Sequence, residues 1–559
     1  MTASTASLPF PRPNSSRAKS ARTKSPRPKS PRPESPRPES QAEQQPGAAV
    51  DGIPPRRLFA FIAMCFGMFM AFLDIQIVSA SLSDIQAGLS ASADEIPWVQ
   101  TAYLIAEVVA IPLSGFLSRA IGTRILFTIS AAGFTLSSIM CGTSSSIDSM
   151  IVWRALQGFI GGGMVPTVFA TAYLIFTGPR QKLVAPVVGL IATLAPTIGP
   201  TVGGYLTDAY SWHWLFFINV VPGIIVTIAT YLLVDFDKPD FALLKNFDWY
   251  GLISMAGFLG AMEYVLEEGP RYEWFDDNTI FAVAIVSGLS AVAFFARVLT
   301  ARVPIVDLGA FLNRNFAVGS LFSFVLGIGL YGLTYLYPVY LAQVRGYDSL
   351  MIGETMFVSG LVMFATAPIA GQLVERLDPR FVLMAGFVFF AVGTWEMTYV
   401  TSDWDFWELL WPQIFRGVGL MFAIIPVTNT ALGTLQPERV KNASGLFNLM
   451  RNLGGAIGLA AINTWFNDRM DLHLQRLHEA VNPTSVIANE RLANLAARFQ
   501  GSDAHDQALA KMMAIVRLQA AVLSYADVFL MLTVLFLVLA GFGLLMKRPR
   551  PQAAAGAGH

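Results

Sequence analysis

Fourteen apolar segments, each roughly 18 to 28 residues long, follow one another from Leu58 onward. At 1.5 Å per residue every one of them can cross about 30 Å of hydrocarbon. They cover residues 58–80, 97–118, 124–144, 149–177, 183–207, 212–234, 249–267, 279–300, 316–341, 351–374, 381–401, 407–433, 442–464 and 521–546. Hydrocarbon admits only structures that satisfy their own backbone, and segments of this length do so as helices. The chain is therefore expected to be an all-α integral membrane protein in contact with the lipid bilayer. Its composition agrees, with 54% hydrophobic and 14% charged residues, against about a quarter charged in a soluble domain. A net charge of zero leaves no footprint for nucleic acid. Cys65 and Cys141 fall in different apolar segments, so neither a disulfide framework nor a metal site is expected. No nucleophile elbow, phosphate loop, dinucleotide fingerprint or zinc spacing is present. Neither an enzyme nor a cofactor is expected.

Short loops give the orientation. One set carries Arg119, Arg124, Arg180, Lys182, Lys238, Lys245, Arg297, Arg302, Arg314, Arg376, Arg380, Arg439 and Lys441, and the alternate set only Arg271 and Arg345. Positive loops stay inside, which predicts an inner-membrane protein with both termini cytoplasmic. Residues 1–55 form a proline-rich and basic stretch with a five-residue repeat, as in Ser30-Pro31-Arg32-Pro33-Glu34 and Ser35-Pro36-Arg37-Pro38-Glu39. A disordered or polyproline-like cytoplasmic tail is expected there.

An internal repeat supplies the architecture. Pro112, Gly115, Leu117 and Arg124 recur at constant offset as Pro368, Gly371, Leu373 and Arg380, each set in a basic loop after the second helix of its half. Two parallel six-helix halves that rock against each other follow from this. The expected organisation is a tail over 1–55, a first half over 56–235, two extra helices over 236–303, a second half over 304–548 and a tail over 549–559. An external loop of about 466–519 carries apolar residues at near-helical spacing, among them Leu472, Leu477, Leu492, Leu495, Leu509 and Met512. It reads either as a lid on the outer face or as a hairpin that docks a partner.

Two features bear on mechanism. The fifth segment is interrupted by Pro196, Gly199, Pro200, Gly203 and Gly204. Such breakers persist in a bilayer only where neighbouring helices, hydroxyls or a wet cavity satisfy the freed backbone. The helix is then either a kinked packing element or a hinge beside a transport route. The second feature is submerged charge, which costs about 2.5 to 3.5 kcal/mol per side chain on insertion scales. Asp74 and Arg154 fall at equal depth and are expected to pair. Burial and Arg154 pull on the Asp74 carboxyl in opposite senses, so it can exchange a proton as a cavity opens to either side. Glu107, at about the depth of Arg451, is the second candidate for proton coupling; purely structural ion pairs are the alternative for both acids. Gln76, Gln157, Arg416, Asn448, Arg451 and Asp527 are candidates for the substrate route, Arg451 being equally suited to structural hydrogen bonding between helices. Glu263, Glu354 and Glu396 lie near enough to the outer interface to snorkel.

Several motifs occur in a telling order: Leu73-Asp74 in the first helix, Arg154 to Gly158 in the fourth, Gly199 to Gly204 in the fifth, Trp212 to Pro222 after it, then Pro304 to Leu308 and Asn448 to Arg451. From Leu58 to Met546 the chain resembles the major facilitator superfamily, and within it the fourteen-helix EmrB/QacA-type multidrug efflux permeases. The resemblance implies a major facilitator fold of two six-helix halves plus two extra helices, and proton-coupled efflux of amphipathic drugs. It implies cytoplasmic gating loops at Gly115, Arg119 and Arg124 and at Gly371, Glu375 and Arg380. It also implies, as partners, protons, amphipathic small molecules, a periplasmic membrane-fusion adaptor and an outer-membrane channel. The family's gating acid is replaced by Arg119 in the first half, while Glu375 keeps it in the second. Gln76 and Ser79 stand where the family often has threonine and asparagine. Uptake of a metabolite or siderophore is the rival within transport, and a non-transporting sensor or scaffold is the rival outside it.

Overall fold

The computed structural model describes residues 54–545 except 93–94, 177–183, 246, 302–303, 483 and 500–502. The expected N-terminal tail up to residue 53 and the chain from 546 lie outside the described residues, as do Arg180, Lys182 and Arg302.

Each apolar segment is a helix. In chain order they are α1 (Pro55–Ala80), α2 (Trp98–Ala120), α3 (Thr123–Gly142), α4 (Ile147–Ile175), α5 (Val184–Ala209), α6 (Trp214–Leu233), α7 (Trp249–Glu268), α8 (Asn278–Thr300), α9 (Arg314–Tyr340), α10 (Ser349–Arg376), α11 (Pro379–Glu396), α12 (Phe406–Leu432), α13 (Pro437–Ala480) and α14 (Ala504–Phe542). Among the described residues, eleven helices are long and apolar enough to cross a membrane. Side-chain caps fix many of the starts. Asp248, Asp277, Asn313, Asp348 and Asp405 each accept a hydrogen bond from a first-turn N–H, satisfying donors that a helix start leaves free.

Four helices differ from the sequence expectation, the fourteenth by starting at Ala504, well before residue 521. The fourth is interrupted at Gly162 and Gly163, between Ile147–Gly161 and Met164–Ile175. The sixth is interrupted at Ile218 and Asn219, between Trp214–Phe217 and Val220–Leu233. The thirteenth does not stop at residue 464 but continues to Ala480 as a single 44-residue helix. Hydropathy marks where a helix leaves the apolar phase and is blind to its continuation into water.

The pairing of helices repeats with a shift of eight. Contacts of α1 with α5, α2 with α4, α3 with α4 and α3 with α6 recur as α9 with α13, α10 with α12, α11 with α12 and α11 with α14. The halves meet at two matching seams, α2 against α13 and α5 against α10. At the first seam a Cβ on Gly115 would lie 3.0 Å from the backbone of Asn442, and at the second a Cβ on Gly371 would lie 2.9 Å from Pro186. The offset that relates Gly115 to Gly371 also relates Pro186 to Asn442, so the sequence repeat is a true spatial one. The extra helix α7 lies over the first seam, touching both α2 and α13, and α8 packs on α7. Beyond α13 and α14 a short helix, Val486–Ala496, completes a hairpin with its own small core of Ala488, Leu495, Ala508 and Met512.

Candidate functional site

Glycines in α4 draw α2 and α4 together. A Cβ on Gly162 would lie 2.9 Å from Ala110 Cβ and 3.1 Å from the Glu107 carbonyl, and one on Gly158 would collide with the Tyr103 carbonyl. This close approach sets Arg154 beneath the backbone of α2. Its Nε donates to the Val99 carbonyl at 3.0 Å and its guanidinium lies 4.3 Å from the centre of the Tyr103 ring, a cation–π distance. Its Nη1 donates to Asp74 Oδ2 at 2.6 Å and to Gln157 Oε1 at 2.7 Å. Asp74 and Arg154 are both fully buried.

The other Asp74 oxygen accepts from Gln157 Nε2 at 3.2 Å and from Asn219 Nδ2 at 2.7 Å. Asn219 stands at the interruption of α6 and also donates to Ser138 Oγ at 3.1 Å. Three helices, α1, α4 and α6, thus converge on one carboxylate. A buried ion pair survives desolvation only when its remaining lone pairs are met, and here three donors meet them. The expected pairing of Asp74 with Arg154 is present, and Gln157, placed by sequence on the substrate route, belongs to this network. Asn219 escapes the sequence reading although it lies inside a quoted motif. Its signal is a lone amide in an apolar run at a helix break.

Glu107 is buried in α2, within electrostatic range of Arg154, Asp74 and Arg451. Arg451 is buried in α13, hydrogen-bonds Asn448 Oδ1 and lies 5.2 Å from the Phe169 ring. Its Nε and Nη1 are unpartnered. Asn448 in turn donates to the Ser444 carbonyl at 2.8 Å. These residues adjoin the Asp74 network; three other candidates do not. Arg416 donates to Thr334 at 2.6 Å and to Gln413 at 3.3 Å, inside the second half. Asp527 lies at the base of the hairpin, 2.9 Å from His473 Nε2 and 3.6 Å from Arg469 Nε, and about one-third exposed. Gln76 backs α5, where a Cβ on Gly199 would come within 2.5 Å of its own Cβ. Glu263, expected to snorkel, is instead buried, with Oε2 unpartnered.

In α5 the helix runs through Pro196 and Pro200 without a break. Gly199 and Gly203 form its contact with α1, a Cβ on Gly203 lying 2.9 Å from the Ile77 carbonyl. Gly204 is half-buried beside them. The side chain of Pro196 is outside the described residues.

On the face of the basic loops the halves are latched. Lys441, near the start of α13, pairs with Asp237 and donates to the Ser118 carbonyl at 3.1 Å. Asp237 also accepts from Thr123 N–H at 3.1 Å and from its hydroxyl at 3.0 Å, closing the start of α3. With its amide set to suit its neighbours, Asn442 donates to the Gly115 carbonyl and accepts from Arg119 Nη2, both at 3.1 Å. Asp237 therefore supplies an acid to the latch on the side where Arg119 replaces one. Ser444 donates to the Pro166 carbonyl at 3.0 Å, and Tyr173 to Asn429 Oδ1 at 3.2 Å. Arg124 stacks 4.8 Å from the Tyr231 ring, while Arg380 pairs loosely with Asp378 at 3.7 Å; Glu375 is engaged as well.

Two repeated halves around a buried ion-pair network, with a latch at one end, define a membrane transporter. Residues 64–459 match the Major Facilitator Superfamily model, and the chain belongs to that superfamily of non-enzymatic transporters. It is 43% identical over 495 residues to the "Colistin resistance protein EmrB" of Acinetobacter baumannii, covering 87% of this chain and 96% of the relative. It is 30% identical over 503 residues to the "Fatty acid resistance protein FarB" of Neisseria gonorrhoeae, covering 89% and 98%. Against the "Multidrug export protein EmrB" of Escherichia coli K12 identity is 29% over 498 residues, covering 89% and 96%. Among solved structures, the human organic anion transporter MFSD10 superposes with a TM-score of 0.55 at 13% identity, covering 86% of this chain and all of that one. A structure of proton dependent oligopeptide transporters gives 0.55 at 12%, covering 88% and 98%. These two likenesses concern the fold alone.

Proposed function

We propose that this protein expels amphipathic toxic compounds across the inner membrane in exchange for protons, with the basic loops and both termini in the cytoplasm and Asp74 as the coupling carboxylate. The observation that carries the proposal is the fully buried Asp74, held by Arg154, Gln157 and Asn219 from two other helices of the first half. A proton that binds Asp74 cancels the counter-charge of Arg154 and loosens the junction of α1, α4 and α6. Loss of that proton restores the junction. One charge moved down the membrane potential supplies about 2.3 kcal/mol per 100 mV, enough to drive a cycle. The relatives' names mention colistin, fatty acids and multidrug export, which supports amphiphiles as the substrate class. Glu107 is the second proton carrier in this reading, and Arg451 with Asn448 contacts the substrate.

The external hairpin is the docking surface for a periplasmic adaptor that leads to an outer-membrane channel. In support, Val486 and Ile487 are about four-fifths exposed on it and Met513 more than half, apolar side chains that a partner would cover.

Purified protein in lipid vesicles with a trapped pH dye tests the transport reading. Addition of an amphipathic drug is expected to release protons in the wild type, and Asp74→Asn is expected to abolish drug-induced release while still binding the drug. Wild-type proton release from Asp74→Asn would remove this carboxylate from the mechanism.

A further inference from the structure

The extra helix pair holds a buried acid for which the proposed cycle has no use. Glu263 sits one turn from the end of α7, more than nine-tenths buried, with Oε2 unpartnered. An ionised carboxylate in such a place lacks the donors that would offset its desolvation, whereas the protonated acid demands fewer. One turn further on, Glu267 lines a cavity of roughly 320 Å³ between α7, α9, α13 and α14, beside Tyr335 and Asn463. This cavity lies at the end of α7 remote from the basic loops. Inward of Glu263, α7 packs flush on α2: a Cβ on Gly260 would lie 3.3 Å from Ile105 Cγ2. Glu107 of α2 is within electrostatic range of Glu263, and so is Tyr331 of α9, whose hydroxyl bonds Asn452 at 3.2 Å. From α13, Arg451 faces Tyr331 and Glu107. From α8 the sole titratable side chain, Arg297, is spent at the other end of α7 on Asp248, at 2.8 Å.

We propose that Glu263 is a third proton-carrying site, loaded from the outer face through the cavity beside Glu267 and unloading to Glu107. A hydronium ion in the cavity gives its proton to Glu267. Glu263 rests as the acid: it passes its proton to the Glu107 carboxylate through Tyr331 and water, which bridges gaps longer than a hydrogen bond, and the Glu263 carboxylate so formed takes the proton of the Glu267 acid. Glu263 is left as the acid and Glu267 as the carboxylate each was before, so one proton enters and one reaches Glu107. The added helices are then a proton inlet that the twelve-helix core lacks. The inference rests on proton-coupled export as proposed above.

The test uses the full chain in vesicles, comparing Glu263→Gln, Glu263→Asp and Asp74→Asn. Glu263→Gln is expected to need about one pH unit more acid at the outer face for half-maximal export, a tenfold change in proton concentration. Exchange of labelled for unlabelled drug without a proton gradient, which needs binding and rocking alone, should stay near wild type, and Glu263→Asp should recover the wild-type pH profile. An unchanged profile in Glu263→Gln while Asp74→Asn fails would overturn the inlet and leave the coupling reading intact; unchanged behaviour in both would overturn the coupling reading itself. If Glu263→Gln does not fold, the wild type decides. Dicyclohexylcarbodiimide reacts with a carboxyl that carries its proton: the O–H adds across one C=N bond and the product rearranges to a stable N-acylurea. Mass spectrometry should find the adduct on Glu263, increasing as the outer pH falls, and its absence would overturn the proposal.

Discussion

Asp74 and Arg154 matter mainly through what each would become without the other. Losing one partner of a buried pair costs about 3–5 kcal/mol, whereas replacing both by apolar groups is often neutral. Arg154→Met should therefore melt well below the double variant Asp74→Leu with Arg154→Met, by tryptophan fluorescence in detergent. Equal melting of the two would show that the pair is not an energetic unit. This pair is legible in the sequence because two lone charges at one depth, in the first and fourth apolar runs, have few other ways to be satisfied. Asn219 is not, since a neutral amide disturbs hydropathy too little to announce a partner. Asp527 misleads for the opposite reason: it falls within the hydropathic stretch of the last segment, yet α14 starts well before that stretch and pairs the residue with Arg469 and His473 at the hairpin base.

Between α1 and α5 the contact is made of glycine, and its two candidate hinge glycines are not equivalent. A side chain on Gly203 meets the Ile77 carbonyl, while Gly204 is half-buried beside it. Overpacking a tight site costs typically about 1–3 kcal/mol, and that is enough to hold one conformation. Gly203→Leu is expected to bind drug and fail to turn over, with Gly204→Leu the milder of the two; normal vesicle transport by Gly203→Leu would reduce α5 to a packing helix. Helix existence and order are readable throughout, because a span needs its full length of apolar residues. The interruption of α4 is less so. Glycine runs also serve close packing, and only the neighbouring carbonyls of α2 reveal which of these glycines does which.

Rocking requires the two seams to part on one face at a time, and the Lys441–Asp237 contact resists this on the basic face. An ion pair of about 1 kcal/mol holds a roughly fivefold bias. Lys441→Met is thus expected to raise maleimide labelling of a cysteine placed at the buried Ser444 by about that factor, since Ser444 lies within the same seam; an unchanged rate would show that the latch bears no load. At the far end, deletion of residues 472–516 should weaken co-purification of the adaptor while sparing transport by the isolated permease, Arg469 being left to pair with Asp527. Undiminished co-purification would place the docking surface elsewhere. The pseudo-symmetry behind both experiments is readable from the repeated Pro112-to-Arg124 pattern, but the position of α7 over a single seam is not, because nothing in the repeat says which side an inserted pair will cover. The uninterrupted α13 joins these two ends. A 44-residue helix is about 66 Å long, with Lys441 near one tip and His473 near the other, and a rod of that length cannot tilt at one end and rest at the other. The hairpin it carries is a pointer: whatever sits against it registers whether the gate on the basic face is shut, without touching drug or proton.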